Sequence, residues 1–234
     1  MNNKRLRILT FVTAVLVLMA MYMLFFSLPV MRSGAGEVLD SSFKIFYFHM
    51  PIAITSYLAF FIVLAASIMQ LRSHEVKWDV YARSAAEIGV VFALLVLITG
   101  SIWARATWGW YWVWEPRLTT SLALFLVYVT YLLLRQAIEE PESKARLAAV
   151  FGIVGFVSVP LSFFSIRLWR SVHPLMFGDA IYGSTGGGLE GTTLQLTLLV
   201  NFLAFLTLFV TLFMYKSNIE MLKEEIWTLR AAHR

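Results

Sequence analysis

Residues 43–71 read FKIFYFHMPIAITSYLAFFIVLAASIMQL, and this stretch decides the fold class. It contains one charged residue, Lys44, and it exceeds the roughly 20 residues that an α-helix needs to cross a bilayer. Such a run predicts a membrane-spanning helix. Pro51 lies near its start and indicates that the helix begins at the membrane interface.

Five further apolar blocks occur along the chain, and they predict an all-α membrane protein with six transmembrane helices in one bundle. The expected spans are residues 8–31, 43–71, 85–103, 118–134, 147–166 and 192–215. Only 14% of the residues are charged, whereas a soluble domain carries about 25%. This composition excludes an ordinary soluble domain and a disordered chain. Residues 1–234 are expected to form a single polytopic domain in the lipid bilayer, without a nucleic-acid partner.

Lysine and arginine are distributed unevenly between these spans. The N-terminus, the second and fourth connections and the C-terminal tail hold thirteen of them, and the other three connections hold six. Positively charged segments flanking spans tend to stay in the cytoplasm. Both termini are therefore expected to be cytoplasmic, and the first, third and fifth connections are expected to face outward.

The third connection, between the third and fourth predicted helices, is rich in tryptophan. It reads WGWYWVWEPR over residues 108–117, with Trp108, Trp110, Trp112 and Trp114 at alternate positions. One or two tryptophans at a helix end are typical of an interfacial aromatic belt. Four at this spacing favour a surface for a large planar apolar ligand, because indole faces stack on such rings. The residues alone leave both interpretations open.

Charged side chains border the predicted tryptophan surface. Glu115 and Arg117 follow the tryptophans, and Arg105 precedes them. Glu115 and Arg117 could form a local ion pair with solvated heads. Alternatively, Arg117 and Arg105 would bind carboxylates such as the two propionates of a porphyrin. Arg167 or Arg170 could add a further donor. Glu115 would then hold an arginine or an indole N–H in place.

Two histidines are expected at the same outer surface. His49 lies at the start of the second span, and His173 follows the fifth. A single interfacial histidine is more often structural, but two at matching depth beside the tryptophans fit the axial ligands of a haem iron. A zinc site needs three or four ligands, so zinc fits less well even with Glu115 as a third. Because the chain has no cysteine, haem bound here would be non-covalent haem b.

The residues from Trp108 to Thr119 resemble the tryptophan-rich "WWD" signature of the haem-handling proteins of cytochrome c maturation. The length, the six predicted spans and the two outward histidines are most similar to the short members of that group, the CcmC family. Residues 159–173 also resemble that family's fifth span and third outer loop. Two positions depart from the usual motif, since Glu115 stands where an aspartate is common and Pro116 follows it.

The resemblance implies a haem delivery protein, not an enzyme, in a bacterial or archaeal plasma (inner) membrane. Its haem site would lie on the extracytoplasmic face. His49 and His173 match the family histidines that ligate iron, and residues 108–117 match its haem-binding motif. The implied partners are the haem chaperone CcmE, the small membrane subunit CcmD and the ATP-binding cassette transporter CcmA with CcmB.

Three other functions remain open from the sequence. The chain could be a cytochrome c haem lyase or synthase of the same wider group. It could be an ion-coupled transporter that uses Glu87, because an intramembrane acid is often functional. It could also be an assembly scaffold whose tryptophans only anchor lipid.

Overall fold

A computed structural model describes residues 3–29, 41–171, 173 and 192–232. Within these residues the chain forms seven α-helices and no β-strand. The helices are α1 (Asn3–Tyr22), α2 (Phe46–Ser73), α3 (Val76–Trp108), α4 (Pro116–Ala137), α5 (Pro141–Gly155), α6 (Ser158–Leu168) and α7 (Thr192–Ala232). A π-helical turn, Met23–Ser27, continues α1, and a 3₁₀ turn, Ser41–Ile45, leads into α2.

Six segments of the described chain are long and apolar enough to cross a membrane, which confirms the predicted number. They are Lys4–Ser27, Ser41–Ser73, Val76–Trp108, Pro116–Ala137, Pro141–Leu168 and Thr192–Arg230. Several are longer than predicted, because an apolar run marks only the part of a helix that lies in hydrocarbon. Polar residues that favour helix continue it on either side. The predicted end of the first span at Met31 lies outside the described residues.

The fifth span consists of two helices, α5 and α6, that meet at residues 156–157. Pro160 explains the break, because a proline has no N–H and its ring clashes with the carbonyl four residues earlier, here that of Phe156. Hydrogen bonds to the residue three positions earlier replace the regular α-helical bonds here. The Val157 N–H donates to the Val154 carbonyl at 3.2 Å, and the Val159 N–H donates to the Phe156 carbonyl at 2.9 Å.

Two residues in the left-handed region end helices at short connections. His74, with φ of 56°, ends α2, and its N–H donates to the Gln70 carbonyl at 2.9 Å. Gly109, with φ of 81°, ends α3 in the same way. Because both connections are short, α3 runs antiparallel to α2 and to α4. The start of α2, residues 103–117, residues 162–171 and residue 173 therefore lie together, and we call this the tryptophan end of the bundle.

The core lies where α2 packs between α3, α4 and α5. The rings of Phe60 and Tyr128 stack with their centroids 3.7 Å apart, and both side chains are fully buried. Small residues on α3 permit this close packing: a Cβ on Gly89 would lie 2.7 Å from Cε1 of Phe60. Gly152 of α5 likewise faces Ser67 of α2, where a Cβ would lie 2.7 Å from the hydroxyl oxygen. Interfaces built on small residues are typical of helices packed within a membrane.

At the opposite end of the bundle, a buried ion pair joins α3 to α4. Both terminal nitrogens of Arg135 lie 2.6 Å from the carboxylate oxygens of Asp79. The Arg135 side chain is 8% exposed and that of Asp79 is 21% exposed. Such two-pronged pairs combine charge with fixed geometry. Each charge is therefore compensated only while its partner is present.

A second group of charges at this end joins α3 to α7. Glu87 lies 2.9 Å from Nε of Arg83 and 2.6 Å from Nζ of Lys216. Glu220 lies 3.0 Å from Arg83 and 3.2 Å from Lys216. Glu87 thus has two cationic partners, and Glu220 has three, because it also lies 2.9 Å from Nζ of Lys223. Glu87, the acid that a transporter would use, here takes part in holding two helices together.

We predict that Asp79→Asn lowers the free energy of unfolding in detergent by about 3 kcal/mol, because it leaves the buried Arg135 charge without its partner. Glu75→Gln is the control, since it removes one negative charge from an exposed pair with Lys77 and should change little. Chemical denaturation followed by circular dichroism measures both. Equal stability of the two variants would contradict a structural role for the Asp79–Arg135 pair.

Candidate functional site

His49 is a buried side chain of α2 that contacts α3. Only 8% of it is exposed, and its Nδ1 lies 2.7 Å from the hydroxyl oxygen of Thr99. The Trp103 ring, one turn further along α3, meets the imidazole edge to face with centroids 6.1 Å apart. The imidazole is therefore held by a polar contact and an aromatic contact on the same helix.

Gly100 makes room for the His49 ring. A Cβ at this position would lie 3.0 Å from Cε1 of the imidazole, closer than ordinary van der Waals contact. Trp103 follows Gly100 by three residues and Thr99 by four, and residues three and four apart are neighbours on a helix surface. These three residues form the wall against which His49 packs.

The connection between α3 and α4 presents aromatic rings to the outside. Trp110, Tyr111 and Trp114 are 67%, 63% and 77% exposed. Trp108 is the last residue of α3 and is half-buried. The indole of Trp112, also half-buried, meets that of Trp114 edge to face, with an interplanar angle of 79°. The indoles of Trp112 and Trp114 thus face different directions and do not share one plane.

The indole N–H of Trp112 is buried, and it finds no acceptor among the described residues. Buried indole N–H groups usually have a hydrogen-bond partner. This donor lies beside the exposed ring of Trp114. An acceptor supplied by a ligand, such as a carboxylate, would satisfy it.

Arg105 is exposed and extends along the same connection. Its guanidinium donates to the Gly109 carbonyl and lies 5.6 Å from the ring centroid of Tyr111. The contact with Tyr111 is a cation–π interaction. It places a positive charge next to the exposed aromatic rings.

Arg117 instead reaches into the bundle. It donates to the carbonyl oxygens of Ser162 at 2.5 Å and of Phe163 at 3.4 Å, both in α6. Its guanidinium also lies 5.8 Å from the ring centroid of Tyr57 in α2. Arg117 therefore joins the start of α4 to α6 and α2, while Arg105 stays at the surface.

Glu115 links the tryptophan connection to the segment that carries His173. Its Oε1 accepts from the Leu118 N–H at 2.6 Å and so caps α4. Its Oε2 accepts from the Ser171 hydroxyl, whose oxygen accepts from the His173 N–H at 3.0 Å. The two carboxylate oxygens have separate tasks. An aspartate, one methylene shorter, would reach less far towards Ser171.

The two histidines thus belong to different parts of the tryptophan end. His49 is part of the α2–α3 pair, and His173 is tied to the start of α4. Among the described residues, no group of three or more histidine, aspartate or glutamate side chains gathers as a metal site.

Several contact residues of this end were missed by sequence reasoning: Tyr57, Thr99, Gly100, Trp103 and Ser171. The chain did contain a signal for one of them, Thr99. His74 ends α2, and His49 lies 25 residues before it while Thr99 lies 25 residues after it. In two antiparallel helices joined by a tight turn, residues equally far from the turn lie at the same height.

The fold and the tryptophan end define a multi-pass α-helical membrane protein with two histidines and exposed indoles at one end. The sequence matches the heme exporter protein C (CcmC) family over residues 1–232. It is 36% identical over 187 residues to heme exporter protein C of Bradyrhizobium diazoefficiens, covering 80% of this chain and 70% of that protein. The match to the Paracoccus denitrificans protein of the same name is 33% identical over 190 residues, covering 80% and 77%.

A third relative, heme exporter protein C of Haemophilus influenzae, is 31% identical over 189 residues, which cover 79% of this chain and 74% of that protein. The chain belongs to the heme exporter protein C family. Membership gives it a role in haem handling for cytochrome c maturation, as a delivery protein and not as an enzyme.

We predict that Ser171→Ala speeds hydrogen exchange at the His173 amide roughly fivefold. The substitution removes the oxygen that accepts from the His173 N–H, and such a hydrogen bond contributes about 1 kcal/mol. Exchange measured by mass spectrometry on the peptide around residue 173 tests this. Ser158→Ala is the control, since the Ser158 hydroxyl bonds to the nearby Gly155 carbonyl. An unchanged rate in Ser171→Ala would show that Ser171 does not hold His173.

Proposed function

We propose that this chain binds haem b non-covalently at its extracytoplasmic end and presents it to the haem chaperone CcmE during cytochrome c maturation. His49 and His173 are the axial ligands of the iron. One observation carries the proposal: a buried and oriented histidine, a second histidine tied to α4, and exposed indoles all lie at the tryptophan end.

The residue types at this end fit the three chemical parts of haem. The iron needs nitrogen ligands, and imidazoles are common ones. The apolar macrocycle needs flat apolar faces, which the exposed Trp110 and Trp114 supply. The propionates need donors, and two are suited to them: the exposed Arg105 and the Trp112 N–H, which has no acceptor among the described residues. Bound haem supplies the iron and the ring that are to be delivered.

The positions of those two donors support this assignment. The Arg105 guanidinium lies over the Tyr111 ring, and the Trp112 N–H is buried next to Trp114. Both belong to the connection that carries the exposed indoles. A propionate held there would lie beside the macrocycle that stacks on Trp110 or Trp114.

The remaining residues of the motif act by positioning. Arg117 joins α4 to α6 and α2, so it sets where the tryptophan connection ends. Glu115 caps α4 and holds Ser171, so it sets where His173 begins. Trp108 ends α3 next to Gly109, where the chain turns into the connection. These contacts set the positions of the tryptophan connection and of His173. The three residues need not contact the haem ring themselves.

The distribution of charge and the family support the orientation and the partners. Thirteen of the nineteen lysine and arginine residues lie in segments that would face the cytoplasm, which favours an outward position for the tryptophan end. Exposed indoles there give a protein partner access to the haem. We therefore propose CcmE as the acceptor, and CcmD with CcmA and CcmB as the further components. Because the chain has no cysteine, any covalent attachment through a thiol would form on a partner.

We predict that the purified protein, given haem, shows a Soret band that shifts and weakens in both His49→Ala and His173→Ala. Loss of an axial ligand should raise the dissociation constant for haem roughly tenfold or more, since even outer contacts of a metal ligand contribute about 10–100-fold. Absorption titration measures both effects. His74→Asn is the control, because His74 lies at the other end and asparagine tolerates its left-handed backbone.

Two results would contradict the proposal. If the wild-type protein takes up no haem, even with excess haem and the chaperone present, haem binding is excluded as its function. If both alanine variants bind haem as tightly as wild type, the two histidines are excluded as iron ligands, and other residues must bind the haem.

We also predict that Trp110→Ala raises the dissociation constant for haem about tenfold, because a lost stacking face of this size contributes about 1.5 kcal/mol. Trp227→Ala is the matched control: Trp227 is 60% exposed, close to the 67% of Trp110, but lies near the far end of α7. Haem titration of both variants checks the difference. If the two variants bind haem equally, Trp110 serves only as a membrane anchor.

A further inference from the structure

We propose that Thr99 fixes His49 in the tautomer with hydrogen on Nδ1, and thereby makes Nε2 the nitrogen that ligates iron. This inference rests on the proposed function, because it concerns the ligand role of His49. It adds a positioning residue that lies outside the tryptophan motif and on a different helix from the histidine. Thr99 acts through His49 and does not itself need to touch haem.

The hydrogen-bond partners of Thr99 determine the direction of its bond to His49. The Thr99 hydroxyl donates to the Leu95 carbonyl at 2.7 Å, one turn earlier in α3, and the Val96 carbonyl lies at 3.4 Å. A threonine hydroxyl has one hydrogen to donate, and a carbonyl oxygen can only accept. The hydrogen is therefore directed to the carbonyl, and Oγ1 presents a lone pair to His49.

The His49 contact then has one consistent arrangement. Nδ1 lies 2.7 Å from Oγ1, so a lone pair on each atom would repel, and a hydrogen must lie between them. Since the Thr99 hydrogen is used at Leu95, the hydrogen belongs to Nδ1. A neutral imidazole carries only one N–H, so Nε2 keeps its lone pair. A lone pair on nitrogen is what an iron ligand requires.

Packing holds the plane of the ring, and the bond to Thr99 selects which edge faces α3. Gly100 lies against Cε1, with only enough space for a glycine, and Trp103 meets the ring edge to face. A flipped ring would place a carbon at Oγ1 and lose the hydrogen bond in a site that is 8% exposed. Loss of a bond in such a site leaves a buried polar atom unpaired, which is costly. The same contacts thus select the tautomer and the orientation.

This arrangement matches a general property of metal-binding histidines. Their second ring nitrogen usually donates to an oxygen of the protein, which fixes the tautomer and raises the basicity of the ligating nitrogen. Mutation of such partners typically lowers metal affinity about 10–100-fold. In this chain the partner is a neutral hydroxyl held by its own helix, so the hydrogen bond exists before haem arrives.

The test begins with the haem-free, full-length protein, labelled with ¹⁵N at histidine and kept in detergent micelles. Two-bond ¹H–¹⁵N correlation spectra distinguish the two neutral tautomers, and the His49 signals are assigned by their loss in His49→Ala. We expect hydrogen on Nδ1 in wild type and in Thr99→Ser, which keeps the hydroxyl. We expect a mixture of tautomers, or the Nε2–H form, in Thr99→Val.

Haem titration of the same proteins gives the second readout. The dissociation constant should rise roughly 10–100-fold in Thr99→Val, and Thr99→Ser should stay within about threefold of wild type. Because the wild-type spectrum alone reports the tautomer, the test does not depend on the folding of Thr99→Val. Thr130→Val is the control for loss of a threonine hydroxyl that bonds to its own helix, at the Leu126 carbonyl.

The outcomes separate this inference from the proposed function. Hydrogen on Nε2 in haem-free wild type, or a tautomer unchanged by Thr99→Val, would overturn the role of Thr99 even if haem binds. The expected tautomer combined with unaltered haem binding in His49→Ala would overturn Nε2 as the iron ligand, and with it the proposed role of His49. The expected tautomer, together with weaker haem binding in both His49→Ala and Thr99→Val, supports both.

Discussion

The tight turn at residues 74–75 fixes the register of α2 against α3, and the position of His49 depends on that register. Two contacts repeat along this pair of helices. The Phe60 ring lies over Gly89, and the His49 ring lies over Gly100. Eleven residues separate the two rings on α2 and the two glycines on α3, which is about three helical turns. The buried core and the candidate site are therefore built on one repeated contact, an aromatic ring against a glycine.

The second constraint is that charges near hydrocarbon need partners. At the end opposite the tryptophans, carboxylates and cations satisfy one another between helices, as in the pair of Arg135 with Asp79. At the tryptophan end the partners are largely backbone groups: Arg117 donates to carbonyls of α6, and Glu115 accepts from the N–H of Leu118. The charged residues Arg117 and Glu115 of the motif thus act by positioning helices. Arg105, beside the motif, stays exposed and so remains accessible to a ligand, and Arg167 and Arg170 at the same end are exposed as well.

Much of the fold could be predicted because hydropathy and helix signals are local. Apolar runs gave the number of spans, and proline after Glu115 and Glu140 marks the starts of α4 and α5. The limits of α3 and α7 were underestimated, because helix continues where apolar composition ends. The residue types of the candidate site were also visible in the sequence. Its supporting contacts, such as Ser171 with Glu115, were not, because they depend on how distant segments meet.

The two histidines differ in how they are held, and this difference bears on delivery. His49 is part of a regular helix, buried, and fixed by three residues of α3. His173 lies in an irregular segment after α6, where its backbone is tied through Ser171 to one oxygen of Glu115. Under the proposed function, a haem that is handed to a partner must lose its protein ligands in turn. His49 is held through its ring by side chains and backbone of α3, whereas the Ser171 hydroxyl links the His173 backbone to Glu115 at the start of α4. A change at Glu115 therefore reaches His173 directly and leaves the packing of His49 against α3 in place.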